Sequence, residues 1–235
     1  MKKFLLAFTG LFLINLSVQA QRPDLPGAFI VDVGLNSWSS PPENISLNSF
    51  QSKTVNLTYY YDFAIGKKGF TFTPGIGLGL ERYSLEENIT LTSTLNNSAV
   101  RSIATADLSN VVDDAISFDR SKLAMNYVDI PLELRWYSSG DSYNRGFRAA
   151  IGAKIGVLYS SFTKFQYEDT AGDNNYVKNR QNLGLNRFRY GVQARVGFGG
   201  FSLFSFYELS DKWDTPPAGG ENTKTLTFGI SLTGF

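Results

Sequence analysis

The sequence predicts an all-β fold, an eight-stranded antiparallel up-and-down transmembrane β-barrel, and three observations predict it. Eight stretches alternate apolar residues with polar residues or glycine, the period of a pleated strand with two unlike faces. The connections between them alternate short with long, and a segment shaped like an export signal precedes them all.

The leading segment carries Lys2 and Lys3, an apolar run from Phe4 to Leu16, and small residues at Val18-Gln19-Ala20. A membrane helix needs about 20 apolar residues, and polar Ser17 and Gln19 come too early for one. Residues 1–20 are therefore expected to be a cleaved signal peptide, with residues 21–235 forming one barrel domain. No other run approaches the length of a membrane helix, so a membrane protein made from this chain crosses the bilayer with strands.

Composition narrows the function. The chain has no cysteine, hence no disulfide and no acylated-cysteine anchor. Its 22 basic residues against 21 acidic ones leave no excess charge for nucleic acid. Histidine is absent as well, which removes the hydrolytic triads, the commonest general base and most zinc sites. No pair of acids is singled out by its spacing for glycosidase chemistry. Asp169, Asp173, Asn174 and Asn175 do not match a calcium loop. The expectation is a protein that is not an enzyme, with no catalytic residue, no cofactor and no metal site.

The strands follow in order. From Gly27 to Asn36, Phe29, Val31, Val33 and Leu35 oppose Asp32, Gly34 and Asn36. From Lys53 to Ala64, Val55, Leu57, Tyr59, Tyr61 and Phe63 share a face opposite Asn56, Thr58 and Asp62. From Phe70 to Tyr83, Phe72, Ile76, Leu78 and Leu80 oppose Gly75, Gly77, Gly79 and Glu81, with Pro74 tolerable near a strand start. Leu123 to Tyr137 sets Val128, Ile130, Leu132, Leu134 and Trp136 against Asp129, Glu133 and Arg135. Phe147 to Ser160 sets Ile151, Ala153, Ile155 and Val157 against Arg148, Gly152, Lys154 and Gly156. Arg187 to Gly199 sets Phe188, Tyr190, Val192 and Val196 against Arg187, Arg189, Gly191 and Arg195. Phe201 to Leu209 is apolar on both parities, which leaves its orientation open, and Lys224 to Phe235 closes the set with Leu226, Phe228, Ile230 and Leu232 on one face.

Periodicity alone does not say which face is inside, and a soluble lipocalin-like barrel would bury the apolar one. Three features place that face in lipid. Glycine crowds the polar face, where a narrow, tightly curved interior needs it. Aromatic residues gather at strand ends: Phe29, Tyr61, Phe63, Phe70, Phe72, Trp136, Phe147, Phe198 and Phe201 at one rim, Tyr159, Phe188, Tyr190, Tyr207 and Trp213 towards the other. Short connections at 65–69, 138–145 and 199–200 alternate with long ones at about 37–52, 84–121, 161–186 and 210–223, the periplasmic turns and external loops of an outer-membrane barrel. The expected location is the outer membrane of a Gram-negative-type bacterium, with lipid as the first partner.

The stretch Asn126-Tyr127-Val128-Asp129-Ile130-Pro131-Leu132-Glu133-Leu134-Arg135, the strands Gly75-Ile76-Gly77-Leu78-Gly79 and Gly152-Ala153-Lys154-Ile155-Gly156, and the terminal Phe235 resemble the porin-family or PorT-like small outer-membrane β-barrels. The resemblance covers nearly all of the expected mature chain. It implies an outer-membrane barrel with no assigned activity and, for the PorT-like group, an association with envelope secretion machinery. The last strand departs from the pattern, since its apolar residues lie on even positions and Phe235 on an odd one. Either a bulge near Gly234 shifts the register or the usual assembly signal is weak.

On the inward parity, acids come early (Asp32, Asp62, Glu81, Asp129, Glu133) and bases late (Arg135, Arg148, Lys154, Arg187, Arg189, Arg195). A lumen only wide enough for its own side chains makes these meet, so a packed ionic plug is expected, the alternative being a small pore for ions or solutes. In the long connection 84–121, Leu85, Ile89, Leu91 and Leu95 continue the alternation. Val100, Ile103, Ala104, Leu108, Val111, Val112 and Ala115 then recur at helical spacing, with Asn97 or Ser98 as a cap. The expected helix either folds over the barrel mouth or forms a docking surface for another envelope protein.

Overall fold

A computed structural model describes residues 27–66, 69–96, 98, 100–112, 115–138 and 146–233. The expected signal at 1–20 and the register question at Gly234 and Phe235 lie outside the described residues. The strands are β1 (Ala28–Ser39), β2 (Lys53–Tyr60), β3 (Phe63–Ile65), β4 (Phe70–Leu85), β5 (Ile89–Leu95), β6 (Arg101–Asp107), β7 (Ala115–Tyr137), β8 (Phe147–Asp169), β9 (Asn174–Asn179), β10 (Phe188–Phe198), β11 (Phe201–Glu208) and β12 (Lys224–Thr233).

Eight of these close a ring in which β1, β2, β4, β7, β8, β10, β11 and β12 each pair antiparallel with the next, and β12 returns to β1. Closure removes every barrel edge, as lipid demands of a sheet that crosses it. β3 resumes the β2 path against β4 after a break at Tyr61-Asp62. The β4–β7 ladder pairs Pro74 with Leu132 and resumes at Gly77 with Asp129. Pro74 borders that gap and Pro131 lies within it, and neither has an N–H to donate.

Alternation becomes a two-sided wall. Ile130, Ile155 and Val192 are about half exposed on the outside, whereas Asp129, Glu133 and Arg195 are buried inside. β11, undecided by periodicity, turns Ser202, Phe204, Phe206 and Glu208 inward and Leu203 and Tyr207 outward. Glycines make room for those rings. A Cβ at Gly34 would stand 3.0 Å from the Phe204 ring, and one at Gly191 would stand 2.7 Å from the Phe206 ring. The expected rim aromatics of the short-turn end are all on the outer surface, with the Tyr61 and Phe63 rings 4.7 Å apart. Trp213 departs from the expected opposite girdle. It is buried beneath the loops, 6.2 Å from Trp38.

At the long-loop end the chain rises well past the lipid-facing wall. β7 and β8 have 23 residues each, about twice what a tilted strand needs to span a bilayer. Their upper halves and β9 form a projecting sheet, whose tip is tied by Asp169. Its carboxylate accepts the Asp173 and Ala171 N–H groups and the Asn175 amide, which hold it below the usual carboxylate range.

Among the described residues, the helix expected in 84–121 is not formed. Glu87 and Asn88, at φ 62° and 52°, turn the chain out of β4 into a β5–β6 hairpin. The β-branched Ile103 and Thr105 pair across it with Ser93 and Leu91, and Leu91 and Ile103 are buried against the barrel mouth. Among the described residues of this segment only Leu108–Asn110 makes a single 3-10 turn, and its cap is Asp107, whose carboxylate accepts the Ser109 N–H at 2.9 Å, not Ser98; Asn97 lies outside the described residues.

If the outer wall faces lipid, Leu132→Arg, midway between Trp136 and Val128, should cost about 2–4 kcal/mol of folding stability. Tyr159→Arg, 55% exposed on the outer wall just beyond Val157, should cost about 0–1 kcal/mol. Urea titration in lipid vesicles measures both, and equal costs would show that this wall does not lie in hydrocarbon.

Candidate functional site: the charged lumen

The lumen holds two ionic centres stacked along the barrel axis. Nearer the short turns, Arg195 forks onto Asp32, with Nη1 to Oδ1 at 2.7 Å and Nη2 to Oδ2 at 3.2 Å. Its Nη1 also donates to Ser231, and its Nη2 lies 3.6 Å from Glu133. Glu133 accepts Arg135 Nε at 2.5 Å, Gln193 at 2.7 Å and the Tyr60 hydroxyl at 3.2 Å. Arg135 reaches Asp62 at 3.8 Å and lies 4.2 Å over the Tyr60 ring. Asp62 in turn accepts the hydroxyls of Thr73 at 2.5 Å and Tyr137 at 3.0 Å.

Nearer the long loops, Arg189 forks onto Asp129, with Nε to Oδ1 at 3.2 Å and Nη2 to Oδ2 at 2.7 Å, and gives its Nη1 to Glu81. The guanidinium sits 3.6 Å over the Tyr127 ring. Glu81 also accepts the Tyr83 hydroxyl at 2.7 Å and stands 3.8 Å from Lys212, which pairs with Glu208 at 2.5 Å. Between the centres Lys154 lies 3.7 Å over the Phe206 ring. Arg148, at the lower rim, donates to Ser202 and Thr233 at 2.9 Å.

Ten of the residues expected inside therefore line the lumen: Asp32, Asp62, Glu81, Asp129, Glu133, Arg135, Arg148, Lys154, Arg189 and Arg195. Arg187 does not. It precedes the first residue of β10, where no ladder fixes its parity, and is exposed. Parity also missed two members. Glu208 was hidden in a strand apolar on both faces, and Lys212 lies four residues on, in the connection after β11, where strand parity no longer applies.

With these additions the lumen carries, among the described residues, six carboxylates (Asp32, Asp62, Glu81, Asp129, Glu133, Glu208) and six cations (Arg135, Arg148, Lys154, Arg189, Arg195, Lys212). Each carboxylate has a cation within ion-pair distance. None is left as a free general base. Among the described residues, no three acids gather as a metal cluster. Glycine sets the tightness: a Cβ on Gly79 would stand 2.6 Å from Arg189 Nη2, and one on Gly156 would stand 2.9 Å from its Nε.

Above the upper centre the inner surface turns apolar. Trp38, Tyr83, Leu85, Leu123, Met125 and Tyr127 from the strands pack with Ile45, Leu91, Ile103, Leu183 and Trp213 from the loops. The hairpin and the 181–185 segment are tied together, since Gln181 donates to the Leu91 carbonyl at 2.9 Å and Arg101 to the Asn182 carbonyl at 3.1 Å. The mouth is thus covered by a small hydrophobic core.

A family model described as Outer membrane protein beta-barrel domain matches residues 19–210. Among solved structures, the chain is similar to an engineered triple mutant of the Rhodopseudomonas blastica porin. The identity is 10%, over 88% of this chain and 99% of that one, with a TM-score of 0.21. A double mutant of the same porin shows 11% identity, the same coverage and a TM-score of 0.22. No curated protein matches.

Removing Arg189 strands two buried carboxylates. Arg189→Met should therefore cost about 3–5 kcal/mol, and adding Glu81→Gln and Asp129→Asn should recover most of that loss. Urea titration of the three proteins decides it. A cost below about 1 kcal/mol for Arg189→Met, the scale of an exposed pair, would mean that the centre is solvated.

Proposed function

We propose, from the premise that this chain belongs to the outer membrane protein beta-barrel domain family, that it is a closed, non-enzymatic barrel acting through its assembled loops. The outer membrane is its place of work. The observation that carries the reading is the double seal, a charge-balanced ionic filling beneath an apolar cap. An ion crossing would have to break both, against charges already neutralised within the chain.

What the loops offer is a firm platform. The β5–β6 hairpin, the segment around Leu183 and the projecting β7–β8–β9 sheet are ordered by packing and pairing, and loops held on a rigid scaffold are where recognition is commonly built. Ile116 and Tyr176 are exposed on the projecting sheet, and Leu95 and Val100 at the hairpin tip. In its most specific form the reading makes the protein a docking or accessory subunit of envelope machinery, and the PorT-like resemblance of the 126–135 stretch points towards secretion.

Planar-bilayer recording tests the seal. The wild-type protein should give no steady single-channel steps, and large steady steps would establish a solute pore instead. Excising residues 89–107 tests the platform, because Leu108 N–H already bonds the Asn88 carbonyl at 2.8 Å and the ends meet. Companions isolated with the wild type from outer membranes should be lost from this deletion. An unchanged set would refute docking through the hairpin.

A further inference from the structure

The cations of the lumen are not all answered as its carboxylates are. Arg189 and Lys212, nearer the long loops, each lie within ion-pair distance of two acids. Arg148, at the short-turn end, has no such partner among the described residues and donates instead to the neutral hydroxyls of Ser202 and Thr233.

Strand register brings two more guanidiniums beside it. Ala150 on β8 is paired with Arg135 on β7 and with Arg195 on β10, so these three share one rung of the inner face. Arg148 stands two residues from Ala150 on the same strand and face. Alanine is the short member of the rung, and beside it lies a cavity of about 10 Å³ lined by Ile30, Arg135, Arg148, Ala149, Ala150 and Arg195.

The only polar side chains in that lining are guanidiniums. Two of their nitrogens, Arg135 Nη2 and Arg195 Nε, are buried without a hydrogen-bond partner in the chain. The other nitrogens that the acids engage are already committed, Arg195 Nη1 and Nη2 to Asp32 and Arg135 Nε to Glu133. A buried charged donor without an acceptor is costly, and in a folded protein it marks a place where an acceptor belongs.

The size and polarity of that acceptor follow from the walls. The space is that of one water-sized body. A water would bring two hydrogens of its own, for which guanidiniums offer no acceptor, whereas a monatomic anion has none to place. We propose that this cavity is a binding site for a halide ion such as chloride, held by Arg135, Arg148 and Arg195 at the short-turn end of the lumen. In so enclosed a place the attraction between anion and guanidiniums is far less screened than at the surface. The site lies below the upper ionic centre and the apolar cap, so it neither needs nor tests docking through the loops.

Urea titration of the full mature chain in detergent micelles tests it, with sodium chloride exchanged for sodium gluconate at equal ionic strength. Raising chloride from about 1 mM to about 100 mM should raise the wild-type folding constant about tenfold, as a site of about 10 mM affinity requires. Bromide should act as chloride does. Arg148→Gln strands no carboxylate and should lose the halide dependence. Heat-modifiable gel migration checks that this variant is folded, and should it not be, Ala150→Val, which fills the cavity, replaces it with the same expectation. A wild-type folding constant indifferent to chloride would overturn the proposal. So would an equal chloride dependence in a folded variant, which would mark a general salt effect. A gain from sulfate that the same variant loses would assign the cavity to an oxyanion and overturn the halide. Anomalous diffraction from wild-type crystals grown in bromide gives the position directly: a peak is expected beside Arg135 Nη2 and Arg195 Nε, and its absence there would also overturn the site.

Discussion

A lumen no wider than its own side chains is the constraint on which this molecule depends. Nothing placed there can be solvated by bulk water, so each ion is desolvated at a cost of several kcal/mol, which only well-aligned partners offset. The alternation that puts apolar residues against lipid puts polar ones inside, and charge inside has to balance. Among the described residues, six carboxylates against six cations meet that requirement. Arg189 shows how tightly: its fork engages Asp129, its remaining nitrogen engages Glu81, and the Tyr127 face lies under its plane. A pair of this kind has no slack, which is why Gly79 and Gly156 flank it where any side chain would collide with the guanidinium.

The seal is built twice because the environment of the strands changes partway up. On the inner face of β7, Arg135, Glu133 and Asp129 give way to Tyr127, Met125 and Leu123, all buried. Its outer-parity positions change too, from exposed Trp136, Leu134, Ile130 and Val128 to Asn126 and Ala124, which are covered by neighbouring side chains, and then to Lys122. β4 repeats the inversion, with Glu81 followed inside by Tyr83 and Leu85, and Leu80 followed outside by Arg82 and Ser84. One continuous strand is thus a membrane strand below and a water-soluble strand above. The same physics acts on both halves with the solvent exchanged.

Most of the wall was legible because period-two alternation survives either solvent, and the eight barrel strands lie close to where the pattern put them. Several features were not. The upper part of β7, residues 115–122, has lost the apolar-outside pattern and pairs through shifts at 115–117 and 118–120, so alternation stops short of its true start. The run from Val100 to Ala115 places apolar residues at helical spacing. Pairing of β6 with β5 and burial of Ile103 beside Leu91 override that local signal. Arg187 shared a parity with the lumen but precedes its ladder, whereas Lys212 joined the lumen from a connection that parity does not govern. The misses at Arg187, at Lys212 and in the upper part of β7 fall where a strand ends or changes solvent, which is where periodicity has no purchase.

The inversion level also explains why two sets of cations in one chain behave so differently. Inside, an unpaired carboxylate has no outside help, so the partner must come from the chain itself, and every lumen carboxylate has been given one. Outside, on the upper parts of β7 and β8 that rise past the apolar belt, Lys122 and Lys164 reach solvent, and the chain need not supply the counter-charge. Lys122 and Lys164 can therefore stand opposed across two paired strands, an arrangement that the lumen could not hold. Charge complementarity is satisfied in both places. It is internal where the barrel is closed, and it turns towards the surroundings where the wall leaves the hydrocarbon.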